Sequence, residues 1–194
     1  MIVTTSHTLL RTADLDDVDE ITDLHTLART AYYSAGGVPD AELTSPEARL
    51  RRRESWTRAV RSGDRTVLCA ERGGELVGIL AMGPPYEADV DATTTGQLYQ
   101  IHVRPGRWGE GLGSRLHAAF VQFLRDASLT TGVLEAWESN SRAQAFYARH
   151  GWQPDGHRRP GPGGGDYVRM RLGPDHEVPP GRVATSSRTP TCLD

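Results

Sequence analysis

The chain has 194 residues, with 22 Lys and Arg against 25 Asp and Glu, a formal net charge of −3. That length suits one domain with an adequate core, the charge balance lacks the basic excess that nucleic-acid binding needs, and no run approaches the roughly 18 apolar residues of a membrane span. Two cysteines, Cys69 and Cys192, give neither a disulfide framework nor a metal-ligand spacing, and no leader pattern opens the chain, so the expectation is a soluble cytoplasmic protein with no metal and no nucleic-acid or membrane partner.

After a short extension over residues 1–6, the stretch HTLLRTA (7–13) reads as a first strand. Val18, Ile21, Leu24, His25 and Ala28 then recur at helical spacing, with Asp14 placed to cap. AGGVPDAEL breaks that helix, and a second begins at Ser45, with Pro46 at its first position and Gly63 as its end. The arginine cluster at 49–54 reads as its solvated face. RGGE separates two apolar runs and predicts a hairpin. A polar loop over 86–96 leads into the strand QLYQIHV (97–103). A glycine-rich turn follows, then a helix with Leu116, Ala119, Phe120, Phe123 and Leu124 on one face. GVLEAWE predicts a strand, SNSRAQAFYARHG a short helix closed by Gly151, and WQPDGHRR and DYVRMRL two final strands joined by PGPGGG. The order is β-α-α-β-β-β-α-β-α-β-β, an α/β domain over 7–172. Residues 173–194, rich in Pro, Ser and Thr, are expected to form a disordered tail.

The turn VRPGRWGEGLGSRL (103–116) places Gly109, Gly111 and Gly113 within five positions, between a strand and a helix. A helix N-terminus leaves about four amide N–H groups without partners and carries roughly half a positive charge. Glycines there clear side chains from the approach of a phosphate. No Lys-Ser/Thr follows, so this is not the nucleotide-binding P-loop, and G-x-G-x-G late in the chain is a poor dinucleotide fingerprint.

A second block, LEAWESNSRAQAFYARHGW (134–152), makes the pattern specific. Val103, Pro105, Trp108, Gly109, Gly111 and Gly113, followed by Asn140, Ala143, Phe146, Tyr147, Gly151 and Trp152, resemble the GCN5-related N-acetyltransferase (GNAT) superfamily in order and spacing. One departure is Trp108, where the family often has Gln or Arg; Arg107 lies one step earlier. The resemblance implies the GNAT fold, a mixed seven-stranded central sheet flanked by helices, with two central parallel strands splayed apart. It implies an enzyme, an N-acetyltransferase that moves an acetyl group from acetyl-CoA to a primary amine by direct attack in a ternary complex.

Carried over residue by residue, the backbone of Ile101 and Val103 would hold pantetheine, and an amide near His102 or Val103 would polarise the thioester carbonyl. Trp108, Gly109, Gly111, Leu112, Gly113 and Ser114, with Arg107 beside them, would hold the pyrophosphate. Asn140 would reach the cofactor while also capping its helix. Tyr147 would bind cofactor and act as the acid, although an aromatic on that face also suits the core. For the base, LEAWESN resembles the corresponding stretch of ribosomal-protein N-terminal acetyltransferases, which implies Glu135. Glu138 and an ordered water are the alternatives, and strand alternation sends Glu135 and Glu138 to opposite faces.

The acceptor is not legible. Tyr32, Tyr33 and Tyr86 are candidates to line its site or to serve as surface anchors. Asp89 and Asp91 could attract a cationic amine or merely be solvated, and PGPGGG could be a lid or a plain loop. His102, His150 and His157 read as structural. A small-molecule amine or a protein N-terminus would serve as acceptor, and the acidic overall balance tips the choice toward a cationic small molecule. Many relatives pair, so a homodimer is compatible. The alternatives in function are a module that senses CoA thioesters without turnover, or a transferase using another acyl-CoA.

Overall fold

The computed structural model describes residues 7–173. The expected extension over 1–6 and, apart from Gly173, the expected tail lie outside the described residues.

Seven strands form one open sheet. They are β1 (Thr8–Thr12), β2 (Thr66–Arg72), β3 (Glu75–Gly83), β4 (Thr95–Val103), β5 (Thr131–Trp137), β6 (Gln153–Pro160) and β7 (Asp166–Leu172), in the spatial order β1-β2-β3-β4-β5-β7-β6. Every neighbouring pair is antiparallel except β4 and β5. Those two pair in parallel over three residues only, Thr95–Gln97 against Thr131–Val133. Beyond that point they diverge, while β4 stays bonded to β3 and β5 to β7. The cause is local: the β3–β4 register shifts so that Tyr99 is an extra residue on β4, and such a bulge bends its strand and increases its twist. The expected splay of the central strands is therefore present.

Among the described residues, five α-helices flank the sheet: α1 (Val18–Tyr33), α2 (Asp40–Thr44), α3 (Pro46–Arg61), α4 (Leu112–Asp126) and α5 (Ser141–Arg149). Leu116, Phe120 and Leu124 of α4, together with Trp152, fill one face with Leu80, Leu134 and Met170. Ile21 and Leu24 of α1 and Trp56 of α3 cover the other face over Ile79 and Cys69. Ser45 caps α3 by accepting from the Ala48 amide at 3.1 Å, as its sequence predicts.

Three local readings are corrected. Asp14 caps a short 3-10 turn over Leu15–Asp17, which then runs into α1. The breaker after α1 contains α2, whose five residues are too few to show periodicity. The β6–β7 connection is also no isolated loop. A β-carbon on Gly163 would lie 3.2 Å from Val38, so this turn rests on the α1–α2 connection, above Trp137.

Candidate active site

A cavity of about 1260 Å3 opens where β4 and β5 part, lined by both strands, by α1 and α3 on one side and by the starts of α4 and α5 on the other. The glycine turn forms one end of it. Gly109 and Gly111 have φ of +87° and +79°, which only glycine adopts readily, and a β-carbon at either would meet nothing within 4 Å. Gly111 is the N-cap of α4 and supplies no side-chain bond. The first helical bond runs from the Arg115 amide to the Gly111 carbonyl at 3.1 Å. The amides of Leu112, Gly113 and Ser114 consequently have no hydrogen-bond acceptor among the described residues. A helix end in this state is a ready anion site.

Trp108, at the departure from the family pattern, donates its indole N–H to the Val103 carbonyl at 3.1 Å and lies under the Arg142 guanidinium, 4.2 Å from the ring centroid. It thereby ties the turn to the end of β4. Arg107 faces Glu75 at 2.8 Å, and that pairing raises its pKa. Ile101 and Val103 pack their side chains on the core, and their backbone edge has no β5 partner, although the Val103 carbonyl accepts from Trp108. Asn140 caps α5, its Oδ1 accepting from Ala143 at 3.1 Å.

Tyr147 is buried at the cavity wall, and its hydroxyl makes no hydrogen bond among the described residues. Desolvation raises its pKa, with a contribution from Tyr32. Glu135 also lines the cavity. Both of its oxygens accept from Arg159 Nε, at 2.7 and 2.9 Å, and it also accepts from the Tyr86 hydroxyl. Glu138 points elsewhere, accepting from the Asp166 amide at 2.7 Å and pairing with Arg158.

All three tyrosines singled out line the cavity, Tyr32 and Tyr86 with accessible surface, and Tyr33 only 1% exposed, with its hydroxyl against that of Tyr167. Asp89 binds Arg169 at 3.0 Å and Asp91 caps its own turn through Thr93, so both are engaged structurally. His102 lies on the cavity wall, stacked on His25 with centroids 4.5 Å apart, and donates to or accepts from Gln100 at 2.8 Å. Desolvation, helped by Arg29, pushes its pKa down to about 3.

Sequence reasoning missed Arg142, His25, Arg29 and Arg52, all on the cavity wall. Arg142 carried a readable signal, since a cation in the first turn of a helix opposes the helix dipole. Among the described residues, no group of three or more His, Cys, Asp or Glu is placed to hold a metal ion, and no helix is long and apolar enough to cross a membrane.

The family model described as Acetyltransferase (GNAT) family matches residues 21–152. The chain belongs to the GNAT acetyltransferase family. It is thereby an N-acetyltransferase. An uncharacterised N-acetyltransferase of Archaeoglobus fulgidus is 28% identical over 140 residues, covering 72% of this chain and 88% of that protein. A mycothiol acetyltransferase of Sanguibacter keddieii is 30% identical over 126 residues, but the match spans 65% of this chain and only 38% of the relative's length. The same fold occurs in the PaiA N-acetyltransferase of Thermoplasma acidophilum, solved in complex with coenzyme A, at a TM-score of 0.70 and 17% identity, covering 86% of this chain and 99% of that one. YncA of Salmonella typhimurium, solved with acetyl-CoA, aligns at a TM-score of 0.62 and 20% identity over 91% of this chain and 99% of its own.

Proposed function

We propose that this GNAT domain transfers an acetyl group from acetyl-CoA to a primary amine by direct attack within a ternary complex, in the cytoplasm. The observation that carries this is the uncapped start of α4 at the end of a strand whose edge is open. Donors without acceptors suit a diphosphate, and an unpaired strand edge suits the amides of an extended arm. Acetyl-CoA, when bound, supplies the acyl group as an activated thioester.

The chain's own residues would divide the work. Leu112, Gly113 and Ser114, with the turn from Trp108 to Gly111, would hold the pyrophosphate. Arg107, paired with Glu75, would have to leave that carboxylate to add a charge contact. The backbone of Ile101 and Val103 would hold the pantetheine amides, the His102–Val103 amides would orient the thioester carbonyl, and the Asn140 amide would reach the cofactor from α5. Tyr147 holds its proton through the neutral range because burial disfavours its phenolate, which suits a hydroxyl that protonates a departing thiolate. Glu135, the cavity-facing member of the Glu135/Glu138 pair, would take the amine's proton directly or through water. Arg159 and Tyr86 orient its carboxylate. Tyr32 and Tyr86 would flank the acceptor.

The test is to titrate coenzyme A calorimetrically, then incubate the protein with acetyl-CoA and an amine panel while following thiol release. Binding with release for one amine class is expected. Binding without release for any amine would instead favour a sensing module, and absence of binding would overturn the assignment.

A further inference from the structure

The cavity wall carries eight arginines and two glutamates, Glu42 and Glu135, although the chain as a whole is acidic. The cationic excess is not spread evenly. On the outward faces of α1 and α3, arginines are matched by carboxylates: Arg49 with Asp23 at 2.8 Å and Arg53 with Asp19 at 2.7 Å. One turn away, on the cavity side, Arg29 and Arg52 have no carboxylate within ion-pair distance among the described residues. Arg159 differs, since its charge is already spent on Glu135.

Arg29 is held in place rather than free in solvent. Its guanidinium lies over the Tyr33 ring, 4.6 Å from the centroid, and Tyr33 is itself fixed through Tyr167. Its Nε is buried and has no hydrogen-bond partner among the described residues. Arg52 spends donors on Thr26 Oγ1, at 2.6 Å, and on the Leu43 carbonyl, both neutral groups. Desolvation and the like charges of Arg29 and Arg51 all lower its pKa. Partly buried cations kept together without a counter-ion are unfavourable, and a bound anion relieves that. A guanidinium fork matches two oxygens of a carboxylate or phosphate. These residues belong to the acceptor wing: Arg29 acts electrostatically on His102 and Tyr32, which stack along the cavity wall. The uncapped start of α4 follows the same end of β4 as His102, but α4 packs on the face of the sheet opposite α1 and α3.

Building on the acetyltransferase reading above, we propose that the acceptor amine carries an oxyanion, a carboxylate or a phosphate, that is bound by Arg29 and Arg52 in the wing between α1 and α3. The substrate class is then an amino acid or an amino-phosphate, rather than the purely cationic small molecule that net charge favours. Arg29, on the cavity wall without a carboxylate partner among the described residues, is the principal reader, and Arg52 supports it.

The experiment uses matched acceptors. L-phenylalanine, β-alanine, 4-aminobutyrate and 6-aminohexanoate are each compared with their carboxamides, and O-phosphoethanolamine with ethanolamine, following thiol release from acetyl-CoA. At least a ten-fold higher kcat/KM for an anionic member over its neutral partner is expected, carried mainly by KM, and the responding pair identifies the anion. Arg29→Met should bring that ratio toward one and Arg29→Lys should restore part of it. Calorimetric binding of the preferred anion to protein saturated with coenzyme A should weaken in parallel. Equal or better turnover of the neutral partners would overturn the oxyanion while leaving acetyl transfer standing. No thiol release from any amine, with coenzyme A still bound, would overturn both. The wild-type ratios decide the matter even if a variant fails to fold.

Discussion

Gly113 lies against Phe146: a β-carbon built at Gly113 would stand 3.2 Å from the aromatic ring. The third glycine of the turn thus serves packing between α4 and α5, whereas Gly109 and Gly111 serve backbone conformation. Gly113→Ala should be tolerated with a small shift of Phe146. Gly113→Val should overpack the contact, destabilise the fold by about 1–3 kcal/mol, and weaken coenzyme A binding roughly ten-fold by turning the α4 amides. Urea unfolding and calorimetry measure the two effects, and wild-type affinity in the valine variant would show that α4 does not depend on this contact.

Gly111→Ala acts differently. There is space for the methyl group, but φ of +79° penalises any L side chain by about 1–2 kcal/mol. The turn should relax and coenzyme A affinity should fall five- to thirty-fold, with the unloaded protein still folded by circular dichroism. A crystal structure of the variant with φ unchanged and affinity intact would refute the link.

Tyr147→Phe removes a buried hydroxyl that has no partner among the described residues, so stability should change little. Proton transfer by a placed side chain contributes about 10²–10⁴-fold. Turnover should therefore fall at least a hundred-fold with coenzyme A affinity held within two-fold. Undiminished kcat would remove Tyr147 from the chemistry.

Glu135→Gln should cut kcat and flatten the acid limb of the pH–rate profile, since an amide cannot accept the proton. Arg159→Met leaves the carboxylate but removes its bidentate partner, and should lower kcat less than Glu135→Gln does. A Glu135→Gln profile superimposable on wild type would leave water as the acceptor.

The stacked pair His25 and His102 predicts a stability profile. Both pKa values lie below the ordinary 6.5, mainly through desolvation, and His102 reaches about 3. The unfolded chain therefore binds protons that the folded one refuses, so stability is complete above pH 6.5 and falls as pH drops below it. His102 alone should contribute a loss of about 1.4 kcal/mol per pH unit in that range, with His25 adding in the same direction. Urea unfolding at pH 7.5 and 5.5 measures the difference, and His102→Gln should reduce the slope. A flat profile would mean both rings protonate freely in the native state.

The seven strands and the four longer helices were legible because each long element carries its period, and because Ser45-Pro46 and the glycines punctuate the chain at points of real backbone constraint; the five-residue α2 was not. The turn with its uncapped helix start was legible for the same reason: glycine is the readable trace of a backbone requirement. The acceptor wing was not. Arg52 belongs to a run that reads as one solvated face, and only the fold divides it, sending Arg49 and Arg53 to aspartates on α1 and Arg52 inward. Arg29 and His25 sit on a helix face whose periodicity says that it is covered but not by what. Asp89 and Asp91 misled in the reverse sense, since an acidic loop in sequence becomes a partner of Arg169 and a self-capped turn in space.

The three-rung seam between β4 and β5 leaves the molecule as two plates, one of four strands and one of three, fastened at a single corner. Coenzyme laid along the opening would act as a suture, so loading should register as quieter motion at that joint. Amide hydrogen exchange should slow along Ile101–Val103 and Leu134–Ala136 and stay unchanged in the β2–β3 hairpin. On the proposed acetyl transfer, the same geometry would favour coenzyme entering before amine, since an amine arriving first would meet a gap with one wall unsettled.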